Sequence, residues 1–340
     1  MNVIPWQVRS RLELAFDGPL AWTLASAIVL VVTFAFALSW GAVDVQPATL
    51  VSAITDADHP LHRVLWDVRV PRILCGVLVG TSLAVAGALL QTAVRNPLAD
   101  PSILGVTAGA GVGALVVILL WPGHSEWIPW SAFAGGLATI VCLIGLAWSR
   151  GGETGALRIV LSGVALQAIL FAVMGLLTFL FADRAPSFAG FVVGSLNGSG
   201  WSDVSLMAWP ISLGLIGSAL MIRSLDLLLL DDGAASGVGV SVVQARFLAA
   251  CLAAMLTAAA VSAAGLVGFV GLVVPNGMRL LVGPEHGVLL PATALTGATL
   301  VLLADGAARS AFAPIELPVG ALLALVGGPY FLWILWKKLP

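Results

Sequence analysis

Apolar residues in this chain run on for about the 20 positions that a helix needs to cross a bilayer core. Such runs lie near 22–40, 72–94, 102–121, 128–148, 159–181, 204–222, 243–263, 264–280, 288–305 and 318–336. They predict ten membrane helices, with Gly265 as the boundary between the seventh and eighth. Glycine and proline inside the runs do not count against helix, because neighbouring spans satisfy the freed backbone groups. The first run, Trp22 to Trp40, follows a short arm (1–20) carrying Arg9, Arg11, Glu13 and Asp17. It is longer than the core of a cleavable signal peptide, about 7–15 residues, and reads as a first membrane helix.

Basic residues set the orientation. With the N-terminus in the cytoplasm, the inner loops and tails hold Arg9, Arg11, Arg95, Arg150, Arg158, Arg223, Arg246, Arg279, Lys337 and Lys338. The outer segments hold Arg63, Arg69, Arg72, Arg184 and Arg309. Ten against five obeys the positive-inside rule and places both termini inside. Two connections are long enough to carry function: the outer segment 41–70, with Asp44, Asp56, Asp58, His59 and His62, and the outer stretch Asp183–Asp203. The inner segment 223–242 follows the sixth span.

Composition agrees. Of 340 residues, 60% are hydrophobic and 9% charged, where globular domains carry about 25% charged residues. Lipid therefore surrounds most of the chain, read as one membrane domain over 1–340. A net charge of −2 with no basic stripe offers nothing to a nucleic acid. Cys75, Cys142 and Cys251 sit apart in apolar runs, without metal or disulfide spacing, and read as small apolar core residues. Lys337 and Lys338 are the sole lysines, so a P-loop, which needs a lysine after its glycines, is excluded. No ionisable residue falls mid-span, which weighs against an ion-coupled transporter or pump. A nucleotide-independent secondary transporter or channel stays open, since backbone carbonyls of broken helices can bind sodium unaided. HExxH, GxSxG and paired intramembrane carboxylates are missing, so an intramembrane hydrolase has no candidate nucleophile.

Five segments in order carry a family likeness. They are Arg69-Val70-Pro71-Arg72; Gly80 to Gln91; Arg95-Asn96-Pro97-Leu98-Ala99-Asp100-Pro101 with its continuation to Val106; Gly268 to Pro275 followed by Arg279 to Gly283; and Leu303-Ala304-Asp305 through Arg309, Glu316-Leu317-Pro318-Val319-Gly320 and Gly327-Gly328-Pro329. In Asn96–Pro101 the prolines Pro97 and Pro101 bar a continuing helix, and Asn or Asp can cap the next one, which describes an inner turn. The small residues Gly80, Ser82, Ala84, Ala86 and Gly87 permit close helix approach. From Arg69 to the C-terminus the chain resembles the FecCD-type permeases of ABC importers, which take up ferric siderophores, haem or cobalamin.

The resemblance implies an all-α polytopic fold of the type II ABC importer class, in which spans two to five and seven to ten form inverted-repeat halves. It implies a bacterial inner (plasma) membrane location and a second permease copy or paralogue. It also implies two cytoplasmic ATPase subunits, which hold ATP and Mg while this chain carries no cofactor and no metal. A periplasmic or lipoprotein substrate-binding protein completes the set, with a ferric siderophore as first cargo, then haem, then cobalamin. Arg69, Arg72 and Arg309 match arginines that dock acidic lobes of the binding protein, a task suited to a planar fork; interfacial snorkelling is the alternative. Glu316 either orders Arg309 or caps the tenth helix. Asp231, Asp232, Ala234, Ala235, Val238 and Gly239 fall where the family couples to its ATPase. Ser236 departs from the arginine common there, and Asn276 from a frequent histidine; Asn276 reads as a helix-terminal polar group. The inner turn Gly151–Leu157 corresponds to the family's gate region.

Overall fold

The computed structural model describes residues 18–40, 47–56, 58–101, 105–148, 155–184, 186–239, 241–311 and 316–338, and no strand occurs among them. The helices are α1 (Pro19–Ser39), α2 (Pro47–Thr55), α3 (Val70–Val94), α4 (Val106–Leu120), α5 (Ile128–Trp148), α6 (Gly155–Leu180) and α7 (Pro186–Val193). They continue with α8 (Trp201–Leu220), α9 (Ile222–Leu227), α10 (Asp232–Gly237), α11 (Val242–Ala264), α12 (Val270–Val282), α13 (His286–Ser310) and α14 (Val319–Lys338). Each of the ten predicted spans has its helix. Seven described helices are long and apolar enough to cross a bilayer, while Val106–Leu120, Val270–Val282 and the segment Val319–Tyr330 are shorter. The arm over 1–17, Asp44, Arg150 and the first gate-region residues, 151–154, lie outside the described residues.

Side-chain size decides the packing. The window of α3 is 78% buried against 11% for α1 and α6, so α3 is an axis and the other two are flanks. Small residues make that possible. A Cβ on Gly80 would stand 2.7 Å from the Ala298 backbone, and one on Gly87 would strike the Gly271 backbone, so α3 touches α13 and α12 main chain to main chain. The pairs Arg72–Asp305, Gly80–Gly297 and Thr92–His286 keep one antiparallel register along α3 and α13. From Arg72 to Thr92 this seam is about 30 Å long, the thickness of a bilayer core.

The halves repeat with opposite direction. Helix α3 packs on α13 and α12 as α11 packs on α5 and α4, and α3 meets α11 at the centre. The short helices α4 and α12 both start from a left-handed residue, Gly105 (φ 77°) and Phe269 (φ 67°). The Gly105 start lies on Gln167 of α6, and Phe269 lies on Gly327 of α14, the corresponding last helix of each half.

Two expected boundaries move. The third span's α-helix begins at Val106, where the sequence predicts a start at 102; residues 102–104 lie outside the described residues. Its cap is Gly105, not Asn96 or Asp100. The eighth span begins at Val270, and Gly265 (φ 69°) ends α11 instead of joining two helices. The intervening backbone is satisfied elsewhere: Leu266 N–H donates to Phe191 O (2.9 Å) and Ser195 N–H to Ala264 O (2.9 Å). With 13 residues, α12 reaches only about 20 Å, less than the thickness of a bilayer core. Of the cysteines, Cys75 is buried as expected, whereas Cys142 is exposed on the apolar surface of α5 and Cys251 is partly buried.

Candidate functional site

Polar side chains gather at the two ends of the α3–α13 seam. At the end that the charge bias predicts to be outer, a π-helical turn, Val64–Arg69, leads into α3. It delivers Arg69 to the C-terminus of α1, where the guanidinium donates to Leu38 O (2.6 Å) and Ser39 O (3.3 Å). Unpaired carbonyls at a helix end attract a cation, so this contact caps α1. One turn into α3, Arg72 donates to Asp305 (2.9 Å) and to Glu316 (3.0 Å). Arg309, a turn beyond Asp305 on α13, meets the same carboxylate at 3.2 Å. Asp305 is only 4% exposed while Glu316 is 36% exposed, so the cluster opens outward through Glu316. The three arginines expected at the outer mouth are thus close together, and each is engaged with a group of this chain. Glu316 pairs with Arg72, a partner not expected for it, and Asp305 is the carboxylate that contacts Arg309 directly.

At the opposite end, predicted to be inner, α10 lies against the C-terminus of α3. Arg95 caps α3 in the left-handed region (φ 53°) and donates to Leu228 O (3.2 Å) and to Leu230 O. Asp232 receives Arg95 and Arg246 at 2.9 Å each, joining α10 to α3 and α11. Ala235 is buried beneath α10, whereas Asp231, Ala234 and Gly239 are exposed and Val238 is 67% exposed. The segment expected to couple to an ATPase therefore has an anchored face and an exposed apolar tip.

The proline turn sits beside it. Asn96 Oδ1 accepts from Leu98 N–H (2.9 Å), closing a local turn that spares the backbone donor. Pro101 is buried, and Asp100 lines a cavity of about 10 Å³ with Thr107, Thr257 and Gly271. Asn276 is inside α12 rather than at its end, and donates to Pro97 O (2.7 Å) and Leu272 O (2.8 Å). It ties α12 to the turn, which replaces the expected helix-terminal role. Five further polar residues had no role assigned from the sequence, although Gln91 and Arg279 fall in its family segments: Gln91, Thr92, Asp226, Arg279 and His286. They form one hydrogen-bonded chain between α9, α13, α3 and α12. Their partners lie up to 194 residues apart, a separation that no local pattern reports.

The FecCD transport family model matches residues 29–337 of the chain. The chain belongs to the FecCD transport family. It is 36% identical to an Fe(3+)-citrate import system permease protein of Bacillus subtilis, covering 93% of this chain and 95% of that one. A hemin transport system permease protein of Yersinia pestis is 38% identical, over 92% of this chain and 94% of the relative. Among solved structures, one described as a metal-chelate type ABC transporter in an inward-facing conformation superposes with a TM-score of 0.83. That match is 31% identical and covers 93% of this chain and 98% of the other. The FecCD chain is accordingly a multi-pass membrane protein of the ABC importer permease class, and its signature turn earns its place by packing, since Pro97 and Pro101 hold the floor under α12.

Proposed function

We propose that the chain is the membrane-spanning permease subunit of an ATP-binding-cassette importer, moving a ferric siderophore, or else haem or cobalamin, from a binding protein to the cytoplasm. The observation that carries this is α10: a six-residue helix fixed from behind by Asp232 and offering Val238 outward at the inner face. A self-contained transporter has no use for such a knob, whereas a motor subunit needs one to push on. The absence of a P-loop lysine in the sequence assigns ATP and Mg to two cytoplasmic ATPase subunits.

In this reading the chain is a single membrane domain of the bacterial inner membrane, with both termini in the cytoplasm, 41–70 outside and 223–242 against the ATPase. The apolar face of α6, where Ile169 is 60% and Phe179 80% exposed, offers a surface to a second copy or a paralogue. The binding protein docks on the outer cluster. Its acidic lobes compete with Glu316 for Arg72 and with Asp305 for Arg309, and Arg69 holds the α1–α3 rim in place for them. Nucleotide-dependent states of the ATPase then bias the permease between outward and inward forms, since only differential binding shifts such an equilibrium.

Reconstitution with the ATPase and binding protein encoded beside it, and a panel of ferric citrate, ferric hydroxamate siderophore, haem and cobalamin, tests the reading. Uptake should require ATP and the ATPase. Uptake driven by a proton or sodium gradient in vesicles holding this chain alone would establish the secondary-transporter alternative instead. Arg309→Glu should lower binding-protein stimulation of hydrolysis in complexes recovered at normal yield, and Val238→Glu should stop uptake.

A further inference from the structure

The inner polar chain does more than hold the start of α13. It begins on α9, where the Asp226 carboxylate, 36% exposed, accepts from the backbone N–H of His286 (2.8 Å) and from its ring Nδ1 (2.7 Å). With the proton on Nδ1, the fully buried ring accepts at Nε2 from the Thr92 hydroxyl (2.8 Å). Thr92 Oγ1 in turn accepts from Arg279 (3.4 Å), which also donates to Ala88 O (3.3 Å) and to the Gln91 side-chain carbonyl. Gln91 passes on through its amide to Gly271 O (3.0 Å).

Both ends of this chain are significant. Asp226 lies on α9, which a short turn over Leu228–Asp231 joins to α10. Gly271 and Arg279 belong to the first and last turns of α12, so α12 is gripped at both ends by one turn of α3. We propose that this chain transmits displacement of the coupling segment to the half-span helix α12, with Thr92 and His286 as its positioning residues. The inference rests on the reading of the protein as an ATPase-driven permease.

The physical reason lies in what each kind of contact allows. Apolar surfaces slide over one another with little penalty at intermediate positions. A buried hydrogen bond that opens leaves a desolvated donor or acceptor, which is costly for each group. Elements joined by such links in series move together or not at all, and a low local dielectric sharpens that condition. Packing alone would stabilise the same helices equally well. The hydrogen-bonded chain adds a fixed relation between α10 and α12, which is what a coupling path requires.

The test uses the reconstituted complex and the same cargo panel, comparing wild type, Thr92→Val and Thr92→Ser. Thr92→Val keeps the shape and removes the hydroxyl, and is expected to lower cargo moved per ATP hydrolysed about tenfold, within the range of coupling between linked sites. Thr92→Ser is expected to keep the wild-type ratio. A Thr92→Val ratio equal to wild type overturns the inference, because a purely stabilising contact would change yield and not the ratio. Hydrogen exchange on the unmutated complex gives a second readout. Exchange in α12 should change along with α9 and α10 when ATP is added, and a change confined to α9 and α10 overturns the proposal even if no variant folds. A wild-type complex that moves none of the panel on ATP would instead overturn the functional reading on which this inference stands.

Discussion

The two ends of the α3–α13 seam solve one problem in opposite ways. At the outer end Arg72 faces Asp305 directly, charge to charge at 2.9 Å, and Arg309 and Glu316 complete a closed group. At the inner end Thr92 meets His286 without a direct ion pair, and charge is kept at the extremities, on Asp226 and Arg279. The outer group involves α3, α13 and the approach to α14, and goes no further. The inner chain reaches two more elements, α9 and α12. A short charged lock fixes two helices against each other, whereas a longer relay ties together elements that must stay in step.

The middle of the seam is where that comparison is most easily broken. Gly80→Leu places side-chain atoms against the Gly297–Ala298 backbone, which cannot yield as a flexible side chain would. The expected result is loss of folded protein, at or beyond the upper end of about 3 kcal/mol for ordinary overpacking. Recovery of a monodisperse species after detergent extraction would show that the backbone contact is not needed.

The outer lock comes next. Arg72→Leu leaves Asp305, which is 4% exposed, with Arg309 as its remaining cation, and should destabilise by about 1–3 kcal/mol. Adding Asp305→Leu should restore much of the lost thermal stability. An additive double mutant would show that the two residues do not act as a pair. On the inner side, Asn276→Ala removes donors to Pro97 O and Leu272 O and should cost about 1 kcal/mol. Its melting temperature in detergent should fall modestly, with the fold kept. The smallest effect is expected at Asp232→Asn. Asp232 is 52% exposed, and exposed pairs contribute about 1 kcal/mol or less, so stability should barely move while coupling to the ATPase weakens. An Asp232→Asn loss as large as that of Arg72→Leu would erase the distinction between the anchored surface of α10 and the buried lock.

The positions of the ten spans were legible because a bilayer imposes one simple demand, a long apolar run, and the chain meets it repeatedly. The proline turn and the small-residue faces were legible too, since Pro97, Pro101, Gly80 and Gly87 act through local covalent geometry and size. The starts of α4 and α12 were not, because Gly105 and Phe269 adopt the left-handed region in answer to helices α6 and α14 packed against them. A phenylalanine there carries no sequence signal at all. The partners of the arginines were equally hidden: Arg69 reads as an exposed cation until α1 brings Leu38 and Ser39 to it.

By itself, then, the sequence determined that this protein is a multi-pass helical bundle, roughly where each helix runs, and which turns break them. Hydrophobicity and backbone sterics are properties of short stretches of chain, so they survive without a fold. Only the tertiary structure decided which polar groups meet, because a hydrogen bond needs its donor and acceptor within about 3 Å and Thr92 and His286 are brought that close by a seam that nothing local encodes.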